Sequence, residues 1–197
     1  GSSVLQLNDK TGNGRHFASQ AGATPVLTGV PSYKLPALRF TTTQWMRHAA
    51  TNFAAPVTVV YVASPVTSTA GRILQGVNNN WLLGWWAGRA DQGYYAGWVT
   101  SPTTAPVGLL PKVYSAVVRG GTQNSEVWRD GTLLAANANG TAGPSGLAVN
   151  TGGFAGEVSA ADVAEILVFP RALTNAERQA VEAGLTAKWV NLKTITG

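Results

Sequence analysis

Three carboxylates near the end of the chain are the residues best suited to hydrolytic chemistry. Cleavage of a glycosidic bond needs two carboxyl groups about 5–10 Å apart, one on either side of the bond. Glu157, Asp162 and Glu165 are the only candidates. The gap between the first two is too long to keep all three on one face of a regular strand. We therefore expect Asp162 in a loop and Glu165 hydrogen-bonded at a strand start, with no catalytic residue and no enzymatic activity.

A dense group of aromatic residues is the second place where chemistry could occur. Six large rings crowd into eighteen residues: Trp81, Trp85, Trp86, Tyr94, Tyr95 and Trp98. Because side chains alternate along a strand, Trp81 and Trp85 share one face while Trp86 points to the other. Tyr94 and Trp98 likewise oppose Tyr95. We predict that one row of rings fills the interior and that the other row is partly exposed.

Exposed rings can stack on the apolar faces of sugars, while neighbouring amide, carboxylate and guanidinium groups bond the hydroxyls. The candidate carbohydrate-binding residues are Asn79, Asn80, Trp85, Trp86, Arg89, Asp91, Gln92, Tyr94, Tyr95 and Trp98. The alternative is that these rings pack against loops or against a partner chain.

Metal, nucleophilic and phosphate chemistry have little support in the sequence. His16 and His48 show no H-x-x-H or H-E-x-x-H spacing, and no serine lies in a G-x-S-x-G context. Asn8, Asp9 and Asn13 offer oxygen atoms to calcium, but that ion usually takes several carboxylates and this loop has one. We expect a turn at 8–14 and no cofactor, with calcium left open.

Several short segments carry the β-branched and aromatic residues that are typical of strands. We predict strands at 35–40, 56–63, 72–76, 81–86, 94–99, 112–119 and 163–169. The segment 87–93 is predicted as a glycine-rich hairpin loop, and 136–153 as a longer loop. Asp130 and Gly131 predict a two-residue type I′ turn inside 126–135.

The periodicity changes after residue 173. Thr174 and Glu177 form a capping-box pattern, and Val181, Leu185 and Trp189 follow on one helical face. We predict a C-terminal helix at the rim of the β domain, anchored by Trp189. Many short strands with no helix between them predict an antiparallel sandwich and exclude alternating β–α folds.

Four stretches together resemble a known family, the laminin-G-like and concanavalin A-like lectin and glucanase jelly rolls of bacterial surface and phage tail proteins. They are the 8–16 loop (NDKTGNGRH), the 80–99 aromatic hairpin, the 126–131 hairpin (EVWRDG) and the closing strand and helix at 156–189. The resemblance implies an all-β, antiparallel jelly-roll β-sandwich (concanavalin A-like) with one C-terminal α-helix, as a single domain over 1–197. Glucanases similar to this family carry E-x-D-x-x-E on one strand, and 157–165 departs from that pattern.

The functional hypothesis is a non-catalytic carbohydrate-binding or adhesive module of a phage tail, virion or bacterial surface protein. Its partner would be a glycan or a cell-surface polysaccharide. A structural or oligomerisation module within a larger assembly, which could form a homo-oligomer, is the alternative. A glycoside hydrolase is the least favoured interpretation.

Composition limits the partners. The net charge is +5, but the basic residues are scattered rather than clustered, so nucleic acid binding is not predicted. No apolar stretch reaches the length needed for membrane insertion. Only 12% of residues are charged, against a typical quarter, and small polar residues take their place. This composition suits an extracellular or virion surface.

Overall fold

The computed structural model describes residues 1–68, 71–101, 105–150, 154 and 156–191. This part of the chain holds fifteen strands and one helix, α1 (Asn175–Trp189). The strands, in chain order, are β1 (Ser2–Ser3), β2 (Gln6–Leu7), β3 (Phe17–Ser19), β4 (Val26–Thr28), β5 (Ala37–Phe40), β6 (Met46–Asn52), β7 (Val57–Pro65), β8 (Leu74–Gly76), β9 (Trp81–Trp86), β10 (Arg89–Tyr95), β11 (Lys112–Val118), β12 (Ser125–Arg129), β13 (Thr132–Asn137), β14 (Ser145–Val149) and β15 (Ala161–Phe169).

The strands form two antiparallel sheets that face each other as a sandwich. The eight-stranded sheet has the order β1-β4-β5-β15-β7-β11-β12-β13, and the seven-stranded sheet has the order β10-β9-β8-β14-β6-β3-β2. Alternating side chains of both sheets meet in one buried core, which includes Tyr61 and Tyr114 from one sheet and Trp81 and Trp85 from the other. The predicted all-β sandwich with one C-terminal helix is confirmed.

Helix α1 begins as its capping sequence predicts. The Thr174 side chain accepts a hydrogen bond from the Glu177 amide, and the Glu177 carboxylate accepts one from the Thr174 amide. The helix packs on the outer face of the eight-stranded sheet, where Leu185 meets Val60 and Val113 of β7 and β11 in a second apolar cluster. The predicted position at the rim is therefore wrong, because the outward valines of these central strands provide the apolar surface that the helix covers.

Two of the predicted loops differ from the structure. The turn between β9 and β10 contains only Ala87 and Gly88, so the predicted loop residues from Arg89 onward belong to a strand. The predicted loop 136–153 contains β14, which pairs with β6 and β8. Gly146 of that strand has a φ of 67° and sits at a register irregularity, which hides the strand pattern in the sequence. Residues 151–153 lie outside the described residues.

Among the described residues, no helix combines the length and the apolar character that crossing a bilayer requires.

Candidate functional site

The β9–β10 hairpin, at one edge of the seven-stranded sheet, carries the aromatic residues. Its turn residues Ala87 and Gly88 have φ values of 51° and 73°. Two positive φ angles are the type I′ geometry that matches the twist of paired strands. The register places Arg89 directly opposite Trp86, and Tyr94 opposite Leu82. Residues that lie opposite each other share a face of the sheet, so Arg89 and Trp86 are neighbours.

One row of rings lies in the core, as the alternation predicts. Trp81 stacks on Tyr95 at 5.3 Å between ring centroids, and Trp85 meets Tyr114 of the facing sheet edge-on at 4.8 Å. These four rings are at most 1% exposed. They stabilise the sandwich and are closed to any ligand.

The other row forms an outer aromatic cluster of Trp86, Tyr94 and Trp98, all of which are partly exposed. A tight turn creates it: the Tyr95 amide donates to the Gly97 carbonyl at 2.9 Å, and Ala96 takes a φ of 61°. The chain then returns, so that Trp98 lies 5.2 Å from both Trp86 and Tyr94 between ring centroids. The three rings hold one another in place and leave part of their surface open to solvent.

A bulge in β10 sends the acidic residue of the hairpin into the interior. The register shifts between Ala90 and Gln92, and Asp91 has a φ of 64°. Its carboxylate accepts a hydrogen bond from the Tyr114 hydroxyl at 2.7 Å and pairs with Arg129 of the facing sheet. Burial, with the Asp91 charge as the next cause, raises the pKa of Tyr114 well above its usual value. The hydroxyl therefore stays protonated and can donate to the carboxylate.

Arg72 lies next to the cluster and links three segments. Its guanidinium donates to Asn80 Oδ1 at 2.8 Å and pairs with Glu157, and it lies 4.1 Å from the centroid of the Phe154 ring. Burial lowers the pKa of Arg72, while Glu157 and then Tyr94 oppose the shift. This arrangement fixes Asn80 and Glu157 beside the outer rings.

Arg89 differs from Arg72, because its side chain has no hydrogen bond or ion pair with any described residue. It is partly exposed and lies across the turn from Trp86. An unpaired guanidinium beside an exposed ring offers up to five donors to a ligand that stacks there.

The ten predicted site residues therefore separate into five that are buried or hydrogen-bonded within the fold and five that lie at the surface. Trp85, Asp91, Gln92 and Tyr95 are buried, between 0 and 7% exposed, and lie away from the surface. The strand alternation accounts for the positions of Trp85 and Tyr95, and the bulge accounts for that of Asp91. Asn79 is committed to the fold, since its side chain donates to the Gly143 carbonyl at 2.9 Å and accepts from the Ser145 amide at 2.8 Å.

The structure brings the remaining five predicted residues together at the surface: Asn80, Trp86, Arg89, Tyr94 and Trp98. Sequence reasoning missed Arg72, Phe154 and Glu157 as members of this site. The first is the opening residue of the predicted strand 72–76 and the other two lie in loop segments, so no local pattern marks them as site residues. Only the fold brings these residues to the hairpin.

The outer aromatic cluster does not line either of two clefts in the described chain. Two clefts lie elsewhere: one of about 520 Å³ between α1 and the Asp130–Gly131 turn, and one of about 480 Å³ among loops that include Gly120 and Gly143. Neither cleft is lined by the outer rings.

The three carboxylates that could have supported hydrolysis are bound by three different cations. Asp162 accepts two hydrogen bonds from Arg39, at 2.7 and 2.9 Å, and Glu157 pairs with Arg72. Glu165 accepts from Lys188 at 2.7 Å and from the Trp189 indole at 2.5 Å. Each carboxylate thus serves a structural contact of its own.

The carboxylate of the N-terminal loop, that of Asp9, is hydrogen-bonded to other residues of the same loop. Asp9 accepts from the Thr11 amide and hydroxyl at 2.8 and 2.7 Å, and from the Arg15 amide at 3.1 Å. The Thr11 bonds, followed by the Arg15 bond, lower the pKa of Asp9 to about 2. His16 accepts from the Asp9 amide at 3.0 Å. Within the described chain no group of three or more His, Asp or Glu residues could hold a metal ion.

The class that this architecture defines is an antiparallel β-sandwich closed by a C-terminal helix. Several solved structures share the fold. Domain 4 of an extracellular GH43 arabinanase from Geobacillus stearothermophilus, in complex with arabinotriose, is similar with a TM-score of 0.65 and 14% identity. The match covers 89% of this chain and 92% of that domain.

Two further structures show the same likeness. Trypanosoma rangeli sialidase in complex with sialic acid has a TM-score of 0.61 at 12% identity, over 92% of this chain and 31% of that one. The binding domain of botulinum neurotoxin DC in complex with SialylT has a TM-score of 0.56 at 11% identity, over 93% and 51%. The chain thus spans about half of the toxin binding domain and about a third of the sialidase.

No family model matches the chain, and no curated protein matches it. The resemblance to laminin-G-like and concanavalin A-like proteins therefore stays a prediction, while the sandwich fold is shown.

Proposed function

We propose that this protein is a carbohydrate-binding module whose ligand lies against the outer aromatic cluster. The observation that supports the proposal most directly is the packing of three partly exposed rings, in which Trp98 lies 5.2 Å from both Trp86 and Tyr94 between ring centroids. Aromatic faces attract the C–H-rich faces of sugar rings, because the ring face is electron-rich. The cluster adjoins hydrogen-bonding groups of Asn80 and Arg89 that can reach the hydroxyls.

Similar folds in proteins whose ligands are sugars support the proposal. The arabinanase domain holds arabinotriose and the sialidase holds sialic acid. We extend the proposal to a non-catalytic role, because Glu157, Asp162 and Glu165 are each held in a separate ion pair. The finer proposal is an adhesive module on a phage tail, virion or bacterial surface, where polysaccharides are the available ligands.

A glycan array probed with the wild-type chain and with Trp86→Ala tests the binding site. We expect the wild type to bind at least one glycan and the variant to lose at least ten-fold in affinity, because the ring that contacts the sugar is gone. Trp45→Ala is the matched control. That residue is a partly exposed tryptophan next to β6, four strands away from β10.

Equal losses in the two variants would contradict the proposed site, provided that both unfold at the wild-type temperature. Release of reducing sugar from a bound glycan, abolished by Glu165→Gln, would contradict the non-catalytic role.

A further inference from the structure

Almost all of the negative charge of this protein is neutralised within the fold. Of the nine acidic side chains, all of them described, eight lie in ion pairs with Arg or Lys. The exception, Asp9, is engaged by the Thr11 and Arg15 amides. The charge that the surface offers to a partner is therefore positive, and its location depends on which basic groups have no acidic neighbour.

The basic side chains that have no carboxylate partner among the described residues are unevenly distributed. Lys34, beside the helix, donates to the Ala187 carbonyl at 2.7 Å. The others lie on the side of the seven-stranded sheet. They are Lys10 and Arg15 in the β2–β3 loop, Arg47 in β6 and Arg89 in β10. The sheet that carries the outer rings therefore also carries most of the unneutralised positive charge.

The β9–β10 hairpin likewise keeps its negative charge inside the fold and its positive charge at the surface. The bulge turns the Asp91 carboxylate inward to Tyr114 and Arg129, whereas Arg89 stays at the surface opposite Trp86. A guanidinium forms paired, charge-assisted hydrogen bonds with a carboxylate or sulfate group. Arg89 has no such partner within the described chain, so its donors are available to a ligand stacked on Trp86.

We propose that the ligand of this surface is an acidic glycan, with Arg89 binding its anionic group while a sugar ring lies against Trp86. This inference rests on the proposed carbohydrate-binding function. It deepens that function by naming the chemical class of the ligand and the residue that selects it. Because the surface is exposed, binding weakens as salt rises.

The test measures binding of the intact protein to pairs of polymers that share a sugar backbone and differ in whether that backbone carries an anionic group. One pair is polygalacturonate and its methyl ester, which present a carboxylate or none. The other pair is dextran sulfate and dextran, which present a sulfate or none. At low salt we expect at least one anionic polymer to bind ten-fold or more tightly than its neutral counterpart. Tighter binding in the first pair identifies a carboxylate ligand, and in the second pair a sulfate ligand.

Two variants remove the same charge at different places. Arg89→Gln is expected to lower affinity for the anionic polymer about ten-fold and to bring it close to that for the neutral one. Lys34→Gln removes an equal charge on the opposite side of the sandwich and is expected to leave affinity within two-fold. Both positions are at the surface, and unchanged thermal unfolding midpoints confirm that both variants fold.

Three outcomes would overturn the inference. If neutral polymers bind as tightly as anionic ones, and binding depends on Trp86 but not on Arg89, the ligand is a neutral glycan and the proposed function stands. If Arg89→Gln and Lys34→Gln lower affinity equally, the attraction comes from net charge and not from this site. If no polymer and no arrayed glycan binds, the carbohydrate-binding function itself is wrong.

Discussion

The pKa of Glu177 is determined by the hydrogen bonds that its carboxylate accepts. Glu177 accepts two hydrogen bonds from Arg171, each at 2.8 Å, and one from the Thr174 amide at 2.9 Å. The Arg171 bonds are the largest cause and the Thr174 bond the next, and together they lower the pKa of Glu177 from 4.5 to about 2. The ionised form is thus favoured in the folded state over the unfolded one.

This shift predicts a dependence of stability on pH. Because the pKa of Glu177 is lower in the folded protein, its contribution is fully present above about pH 4.5 and disappears as the pH falls toward 2. We expect the thermal midpoint of Glu177→Gln to fall less steeply than that of the wild type across this interval. Unfolding followed by circular dichroism at a series of pH values measures it, and parallel curves for the two proteins would contradict the assignment.

At the scale of elements, two glycines show how backbone conformation decides the effect of the same substitution. Gly184 lies inside α1, and Gly131 lies in the β12–β13 turn with a φ of 81°. A methyl group at either position meets no atom within 4 Å. Packing is therefore the same at the two sites, and only the backbone differs.

We expect opposite signs from the two alanine substitutions. Gly184→Ala should stabilise the protein by about 0.5–1 kcal/mol, because alanine is the better helix former. Gly131→Ala should destabilise it by about 1 kcal/mol, because the left-handed conformation is unfavourable for a residue with a Cβ. Urea unfolding midpoints of the two variants and the wild type measure this, and equal signs would refute the argument.

Elements whose conformation is determined by neighbouring residues were predictable from the sequence. Elements that depend on contacts with residues far along the chain were not. The Asp130–Gly131 turn and the Thr174–Glu177 cap contain their own determinants, so their residue types were sufficient to predict them. The bulge in strand β10 is held by contacts of Asp91 with Tyr114 and Arg129, which come from elsewhere in the chain. No pattern within 87–93 indicates that contact.

The site shows the same division. Strand alternation predicted how the rings of the aromatic hairpin divide between two faces, since that division depends only on the pleat of the strand. The return of Trp98 over Trp86 depends on the Tyr95–Gly97 turn, and the placement of Phe154 depends on Arg72. These contacts join separate segments of the chain and become visible only in three dimensions.

At the scale of the whole molecule, a buried ion pair joins the helix to the sandwich. Arg178 pairs with Glu182, Ser115 of β11 donates to Glu182 at 2.6 Å, and the Arg178 guanidinium lies 3.5 Å from the centroid of the Trp128 ring. Both charged residues are at most 4% exposed. Both charges belong to α1, and their contacts with Ser115 and Trp128 of the sheet make helix and sheet depend on each other.

We propose on this basis that the chain unfolds as a single domain. Helical ellipticity and tryptophan fluorescence should share one urea midpoint, because α1 and the sheets are coupled through Glu182. Glu182→Ala leaves Arg178 buried without its acid, and should lower the free energy of unfolding by about 3–5 kcal/mol. Both signals should shift together in this variant. Loss of the helical signal at a lower urea concentration than the fluorescence change would contradict unfolding as a single domain.

The inward turn of Asp91 has a mechanical consequence. Strand β10 is the last strand of its sheet: it pairs with β9 on one side, and on the other it bonds only to the irregular segment that includes Val99 and Ala105 among the described residues. Tension applied to β10 would tend to peel such a strand away from its neighbour, one hydrogen bond at a time. Because Asp91 ties β10 to Arg129 and Tyr114 of the opposite sheet, a load on this strand would be shared across the thickness of the sandwich.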